Sequence, residues 1–210
     1  MLNVKTLRLG SYRTNCYIIT DAASGETAVI DPGEYGSELE SAIRSAGAEK
    51  LRYILLTHGH FDHICGAFSL KENFGGEVLI HAEDRICLES TKWSLCDTVE
   101  GYSQTVMSPD GEIAEGDTLM LGETEISVMH TPGHTRGGVC FIADGKMFSG
   151  DTLFKVGIGR TDLPGGHLRT LVKSLRRIGA LPGDFEIYPG HGSSTTLSYE
   201  LTENSLLRSK

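Results

Sequence analysis

The chain has 210 residues, of which 39% are hydrophobic and 22% are charged, so it has the size and composition of one globular domain, residues 1–210. No apolar stretch approaches the roughly 18 residues that a membrane-spanning helix needs, and residues 1–8 lack the pattern of a secretory signal, so we expect a soluble cytoplasmic protein without membrane partners. The net charge of −9 argues against nucleic-acid binding, which usually needs a basic face.

Short apolar runs between glycines and prolines predict seven strands. In chain order they cover residues 14–20, 27–30, 51–56, 78–80, 126–130, 139–143 and 185–188. The run 51–56 is apolar at nearly every position, which is typical of a central strand that is covered on both faces.

Two segments carry a helical period instead. In residues 39–46 the apolar positions recur at i, i+3, i+4 and i+7, and Gly47 supplies a stop. Residues 168–178 repeat the pattern, with basic side chains on the solvent face. Because paired strands are followed by a helix in both halves, a layered α/β protein is indicated. Residues 91–117 show no clear period and are compatible with a substrate loop or with a hairpin.

The clearest chemical signal is the segment 58–63, which reads His-Gly-His-Phe-Asp-His and directly follows the predicted strand 51–56. Imidazole and carboxylate groups are ligands that suit zinc, iron or manganese. On a loop between a strand and a helix, His58 and His60 can face one metal ion while Asp62 and His63 turn toward a second. The segment therefore predicts a metal site.

Three further ligand candidates are His134, Asp151 and His191. Each follows an apolar segment and is bounded by glycine or proline, so the backbone can present the side chain into a shared cleft. In open α/β architectures, ligands collect at the carboxyl ends of strands. The joint occurrence of these residues with the segment 58–63 strengthens the prediction of a metal site.

This order of residues resembles the ligand pattern of the metallo-β-lactamase superfamily, over nearly the whole chain from about residue 15 to His191. The segment 29–33, Val-Ile-Asp-Pro-Gly, is similar to the first motif of that superfamily, in which the aspartate (here Asp31) supports the ligands from behind. The resemblance implies an α/β fold of the αββα four-layer sandwich type. The segment 150–154 and the short chain look like compact glyoxalase II-like (hydroxyacylglutathione hydrolase-like) proteins that lack a C-terminal helical glutathione-binding domain.

The resemblance also implies two divalent metal ions per chain, and zinc is expected in preference to iron or manganese. Seven side chains would hold them: His58, His60 and His134 at the first position, Asp62, His63 and His191 at the second, and Asp151 as a bridge between the two. A hydroxide between the ions would attack the carbonyl of a small-molecule thioester, with Asp62 and Asp151 taking part in catalysis through the ions. The implied activity is that of a metal-dependent thioesterase.

The segment 159–162, Gly-Arg-Thr-Asp, stands where glyoxalase II proteins carry Gly-Lys-Phe-Tyr, and Arg160 is the candidate for binding a substrate carboxylate. Two alternatives to the thioesterase remain open. The same segment also resembles persulfide dioxygenases, which would use one iron held by His58, His134 and Asp151. The other alternative is a metal-binding module without catalysis.

The remaining cysteines and histidines are expected to be structural. The five cysteines are odd in number and have no Cys-x-x-Cys spacing, so no disulfide framework is predicted and each is expected to be a buried small residue. His81 and His167 precede predicted helices and are expected at the surface or as caps. His130 is either a support for the metal ligands or the end of a strand.

Overall fold

A computed structural model describes residues 1–208, so the end of the predicted domain at residue 210 lies outside the described part. Two six-stranded sheets dominate the structure. The first sheet has the order β1 (Leu2–Leu9), β2 (Thr14–Asp21), β3 (Thr27–Ile30), β4 (Tyr53–Leu55), β5 (Glu77–His81) and β6 (Gly111–Ile113). The second has the order β14 (Thr195–Thr196), β13 (Glu186–Pro189), β10 (Lys146–Gly150), β9 (Val139–Ala143), β8 (Thr124–His130) and β7 (Thr118–Leu121). A small ribbon joins β11 (Leu153–Phe154) and β12 (Gly157–Ile158).

Helices cover the outer face of each sheet. Residues of four of them pack into one apolar cluster with the first sheet: α1 (Ser37–Ser45), α2 (Phe61–Ile64), α3 (Ala67–Phe74) and α4 (Arg85–Glu89). Three others share a cluster with the second sheet: α5 (Leu168–Gly179), α6 (Leu197–Glu203) and α7 (Ser205–Arg208). Within residues 1–208, none of these helices has the length and apolar character needed to cross a membrane.

A third apolar cluster lies between the two sheets, and β2 explains how one strand serves two clusters. Cys16 and Ile18 face the helices on the outside, whereas Tyr17 and Ile19 face the second sheet. Successive side chains of a strand point to opposite faces, so a strand buried on both faces must be apolar at consecutive positions. The layers therefore run helix, sheet, sheet, helix, which confirms the predicted αββα sandwich.

All seven predicted strands and both predicted helices are present, with ends that shift by a few residues. The run 51–56, for example, contributes only Tyr53–Leu55 to β4. The hairpin considered for residues 91–117 is wrong, because β6 pairs in parallel with β5. The segment before β6 instead contains a 3-10 turn at Cys96–Thr98 and extended loops.

The direction of the strands decides where the loops meet. β3, β4 and β5 run parallel in the first sheet, and β10 and β13 run parallel in the second. Parallel strands bring their carboxyl ends to one edge of a sheet. The loops after β4, β10 and β13 carry six of the seven predicted ligands, and His134 follows β8.

Candidate metal centre

The seven predicted ligands come together at this edge, in the loops and the short helix that follow four strands. Segment 58–63 forms the turn after β4 and the start of α2, and the other three follow β8, β10 and β13. Their donor atoms form three overlapping groups, and within each group all donor atoms lie within 4.8 Å of one another. The groups are His58, His60 and His134; His58, His63 and Asp151; and Asp62, His63 and His191.

The carboxylate of Asp151 lies between the residues of the first and the second predicted metal position. Its Oδ1 is 3.5 Å from Nε2 of His63. Its Oδ2 is 3.6 Å from Nε2 of His134 and 3.6 Å from Nε2 of His191. One carboxylate is thus within reach of nitrogens that belong to the first and to the second predicted position, which is the placement that a bridging ligand requires.

The donor atoms fit a divalent cation, because several of them are buried without a hydrogen-bond partner among the described residues. They are Nε2 of His58, Nε2 of His63 and Oδ1 of Asp151. Leaving a buried polar atom unpaired costs about 1–3 kcal/mol. In addition, Nδ1 of His60 and Nε2 of His134 face each other at 2.9 Å. A metal ion would satisfy donor atoms that converge in this way.

Asp31 fixes the direction in which two of the imidazoles point. Its Oδ2 accepts hydrogen bonds from Nδ1 of His63 at 2.9 Å and from the hydroxyl of Thr57 at 2.7 Å. The main-chain N–H of Thr57 donates to Oδ1 at 2.8 Å. Since the Thr57 hydroxyl gives its proton to Asp31, its lone pair accepts from Nδ1 of His58 at 3.1 Å. Both rings therefore turn Nε2 toward the shared centre.

Two supports of the ligands were not predicted from the sequence. The hydroxyl of Thr14 donates to Oδ2 of Asp62 at 2.9 Å. The main-chain carbonyl of Arg160 accepts from Nδ1 of His134 at 2.8 Å, so Nε2 of that ring keeps its lone pair. A threonine at a strand start and a carbonyl in a loop carry no recognisable motif, so no sequence signal marks them.

The guanidinium of Arg160 does not stand free for a substrate carboxylate. It makes two hydrogen bonds to Asp162, of 2.8 Å and 2.7 Å, and this pair is exposed to solvent. The exposed ion pair is weak, worth about 0–1 kcal/mol. A substrate carboxylate would have to compete with Asp162 for the guanidinium or bind through the N–H donors that Asp162 does not use.

The protonation of the site is uneven. Burial, together with the neighbouring imidazoles, lowers the pKa of His58 well below its usual value and lowers that of His60 to about 3. Burial also disfavours the charged form of His63, but the carboxylates of Asp62, Asp31 and Asp151 outweigh it and raise the pKa of His63 to about 10. Near neutral pH the metal-free site therefore holds His58 and His60 as neutral ligands and His63 as a cation.

A cleft of about 580 Å³ opens above the donor atoms. Apolar side chains form much of its wall, and they come from five parts of the chain: Tyr12, Phe61, Leu95, Val99, Phe154, Ile158 and Leu163. The ring of Phe61 packs against Tyr12, with centroids 5.1 Å apart, and against Tyr102 at 4.8 Å. The segment 91–117 thus contributes to the cleft, as expected of a substrate loop.

No cysteine belongs to the donor groups found among residues 1–208. Four of the five are buried, as predicted, and Cys65 is only partly buried. Its sulfur lies 3.8 Å from that of Cys96. Burial raises the pKa of the Cys65 thiol, and Cys96 raises it further, so this thiol is protonated near neutral pH and is a poor nucleophile.

The other histidines have structural contacts. Nδ1 of His81 accepts from the N–H of Glu83, and Nδ1 of His167 accepts from the N–H of Thr170 at the start of α5, so both predicted caps are confirmed. The ring of His130 stacks on His81 with centroids 4.0 Å apart, and its Nε2 donates to a main-chain carbonyl. These contacts make His130 part of a strand end and not a support of the seven ligands.

A sequence model of the metallo-β-lactamase superfamily matches residues 9–191. With the four-layer fold and the His/Asp cluster, this match establishes the class: the chain belongs to the metallo-β-lactamase superfamily, a superfamily of metallo-hydrolases whose fold binds divalent metals.

Individual relatives and solved structures are similar to this chain over nearly its whole length. A protein of Haemophilus influenzae, named hydroxyacylglutathione hydrolase GloC, is 36% identical over 217 residues and covers 100% of both chains. The probable metallo-hydrolase YqgX of Bacillus subtilis is 31% identical over 97% of this chain and 96% of its own. Among solved structures, the BLEG-1 B3 metallo-β-lactamase has a TM-score of 0.91 at 32% identity over 100% of both chains. The protein TTHA1623 in a di-iron-bound form has a TM-score of 0.85 at 33% identity, over 97% of this chain and 100% of that one.

Proposed function

We propose that this chain is a dinuclear metal-dependent hydrolase that cleaves small-molecule thioesters of the hydroxyacylglutathione kind. The observation that carries the proposal is the position of Asp151, whose two oxygens face donor nitrogens of both predicted metal positions. Seven donors exceed the four to six that one zinc or iron ion uses. The likeness to GloC supports the class of substrate.

The chain's own residues would prepare the site for this chemistry. Asp31, Thr57 and the carbonyl of Arg160 hold three imidazoles so that each presents Nε2, and Thr14 holds Asp62. Two divalent ions bound by these ligands would supply a hydroxide near neutral pH and would polarise the carbonyl of the substrate. A thiolate leaving group, with a pKa of about 8.5 in solution, needs little help from a general acid.

The cleft would bind the substrate through its apolar wall. Tyr12, Phe61, Leu95 and Val99 lie on the side of the site formed by the first half of the chain. Side chains of this kind exclude water from one face of a bound acyl group and restrict its orientation, which favours attack on the carbonyl. No cysteine belongs to the donor groups found among residues 1–208. The scheme takes its nucleophile from water, so it does not use a covalent intermediate.

The proposal is tested by metal analysis together with an activity screen. We expect protein reconstituted with zinc, iron or manganese to hold about two ions per chain and to hydrolyse a hydroxyacylglutathione thioester faster than the free metal does. His191→Ala should lose metal and activity. His167→Ala, which removes a helix cap outside the site, should keep both and serves as the matched control.

The same screen separates the alternatives. Protein that never exceeds one iron per chain and consumes oxygen with a persulfide would be a mononuclear oxygenase instead. Protein that binds two ions but turns over no thioester would contradict the thioesterase proposal. A β-lactam belongs in the screen because the chain is similar over its whole length to the BLEG-1 B3 metallo-β-lactamase.

A further inference from the structure

We infer that Asp84 is a positioning residue for the metal centre, because its carboxylate ties together the two loops that carry the first group of ligands, His58, His60 and His134. The inference rests on the proposed metal-dependent function. It concerns a residue that is not itself a ligand and that has no place in the ligand motif.

The contacts of Asp84 join the two sheets. Its Oδ2 accepts from the main-chain N–H of Gly59 at 3.0 Å, and its Oδ1 accepts from the main-chain N–H of Gly137 at 2.7 Å. Gly59 stands between His58 and His60 in the loop after β4. Gly137 belongs to the loop between β8 and β9, which also carries the third histidine of the group. One side chain thereby connects a loop of the first sheet to a loop of the second.

The carboxylate of Asp84 makes its hydrogen bonds to these two main-chain amides and no ion pair with a basic side chain of the described residues. Its residue is only 3% exposed, and among residues 1–208 no lysine or arginine forms an ion pair with it. The adjacent Arg85 turns to Glu89 and Glu112 instead, at 3.0 Å each. Hydrogen bonds from an N–H to an ionised carboxylate are roughly twice as strong as neutral ones. Two such bonds, shielded from water, hold both loops at a fixed distance from one carboxylate.

Steric constraints keep the two loops close to Asp84. A Cβ added at Gly137 would lie 2.7 Å from both Cγ and the main-chain N of Asp84. A Cβ at Gly59 would lie 2.4 Å from Cβ of Cys87. Neither loop has room for a larger residue, so glycine at both positions permits the close approach on which the two hydrogen bonds depend.

The ligands are sensitive to this connection. Nδ1 of His60 and Nε2 of His134 come from the two different loops and stand 2.9 Å apart. If the link through Asp84 is lost, the separation of these nitrogens is no longer fixed. The hydrogen bonds that support Asp62 and His63, at the second predicted metal position, come from Thr14 and Asp31 and do not involve Asp84. Loss of Asp84 should therefore weaken one metal position more than the other.

The test compares zinc affinities in full-length variants by competition with a chromophoric chelator. Asp84→Asn replaces one acceptor oxygen with an NH₂ group that faces an N–H. Gly137→Ala disturbs the same contact from the opposite loop without a change of charge. The matched control is Asp21→Asn, because Asp21 is a buried carboxylate that accepts main-chain N–H groups from Ser24 and Glu123 away from the ligands.

We expect Asp84→Asn and Gly137→Ala to lower the affinity for one of the two zinc ions by about 10- to 100-fold, the usual effect of removing a partner that orients a ligand. Asp21→Asn should lower the melting temperature of the metal-free protein and leave both zinc affinities unchanged. The cobalt-substituted protein gives a second readout, because the visible spectrum of only one of the two ions should change.

Each other outcome has a definite meaning. Wild-type zinc affinities in both Asp84→Asn and Gly137→Ala would overturn the inference, and so would equal losses of affinity in all three variants, which would show a general effect of stability. If Asp84→Asn does not fold, Gly137→Ala decides. Wild-type protein that binds no zinc would refute the proposed function itself, which is a separate result.

Discussion

Binding of metal should displace a proton from His63, and the number of protons released should depend on Asp31. In the metal-free protein Nδ1 of His63 donates to Asp31, while Nε2 lies 3.6 Å from an oxygen of Asp62 and 3.5 Å from one of Asp151. Burial opposes protonation of this ring, yet the three carboxylates raise its pKa to about 10. An ion that takes Nε2 must remove the proton.

The size of the effect follows from that pKa. A pH of about 7 is about three units below the pKa of His63, and one unit corresponds to about 1.4 kcal/mol. Displacement of the proton therefore costs about 4 kcal/mol of metal-binding free energy. Since the proton competes with the ion, the metal affinity should fall as the pH falls. His63 alone should change the affinity about tenfold per pH unit up to about pH 10.

Calorimetric titration with zinc, in two buffers that differ in their heat of ionisation, counts the protons released. At about pH 8 an ordinary imidazole with a pKa of about 6.5 is already neutral. Protons that zinc binding still releases at this pH therefore come from His63 or from a water molecule. Asp31→Asn separates the two, because it removes a negative charge and a hydrogen bond from His63 and should move the end of the release to lower pH. Identical release curves for wild type and Asp31→Asn would refute the reasoning.

Three further predictions concern the site and its cleft. Asp151→Ala should lose more activity than Asp62→Ala, since Asp151 faces donor nitrogens of both predicted metal positions; equal or reversed losses of kcat/KM would count against a bridging role. Cys65→Ser should keep its metal and substantial hydrolysis, and a loss of about 10³-fold in a folded, metal-loaded variant would indicate covalent catalysis. Asp162→Asn should free Arg160 and raise kcat/KM for an anionic thioester, relative to a neutral one, by roughly 2- to 13-fold, the equivalent of the 0.5–1.5 kcal/mol of a typical net hydrogen bond; an unchanged ratio would exclude Arg160 from binding substrate.

The residues of the candidate metal centre could be predicted from the sequence because each has its own local signal. His58, His60 and Asp62 are concentrated in one short segment, and His134 and His191 each stand behind a glycine after a strand. Strands that are buried on both faces were found for the same reason, since their apolar runs are continuous. The resemblance of the whole pattern then ordered these residues into two positions.

What the sequence did not reveal depends on contacts between distant segments. Asp84 binds the N–H of Gly59, 25 positions away, and Thr14 binds Asp62, 48 positions away, and neither belongs to a motif. The strand β1 lies at the edge of its sheet and is buried only at its two ends, Leu2 and Leu9, so it lacks the continuous apolar run of a central strand. The strand β6 has three residues, which is too short for any period to be detected.

The division of the donors between the two sheets has a consequence for the lifetime of the protein. The segment 58–63 follows a strand of the first sheet, whereas His134, Asp151 and His191 follow strands of the second, so ions bound between them would act as cross-links across the sandwich. A ligand present at a thousand times its dissociation constant adds about 4 kcal/mol to the free energy of unfolding, a large share of the roughly 5–15 kcal/mol that a domain has. In a metal-starved cell the chain would then be exposed to proteases, so metal supply would govern how much of the protein persists as well as how fast each copy works.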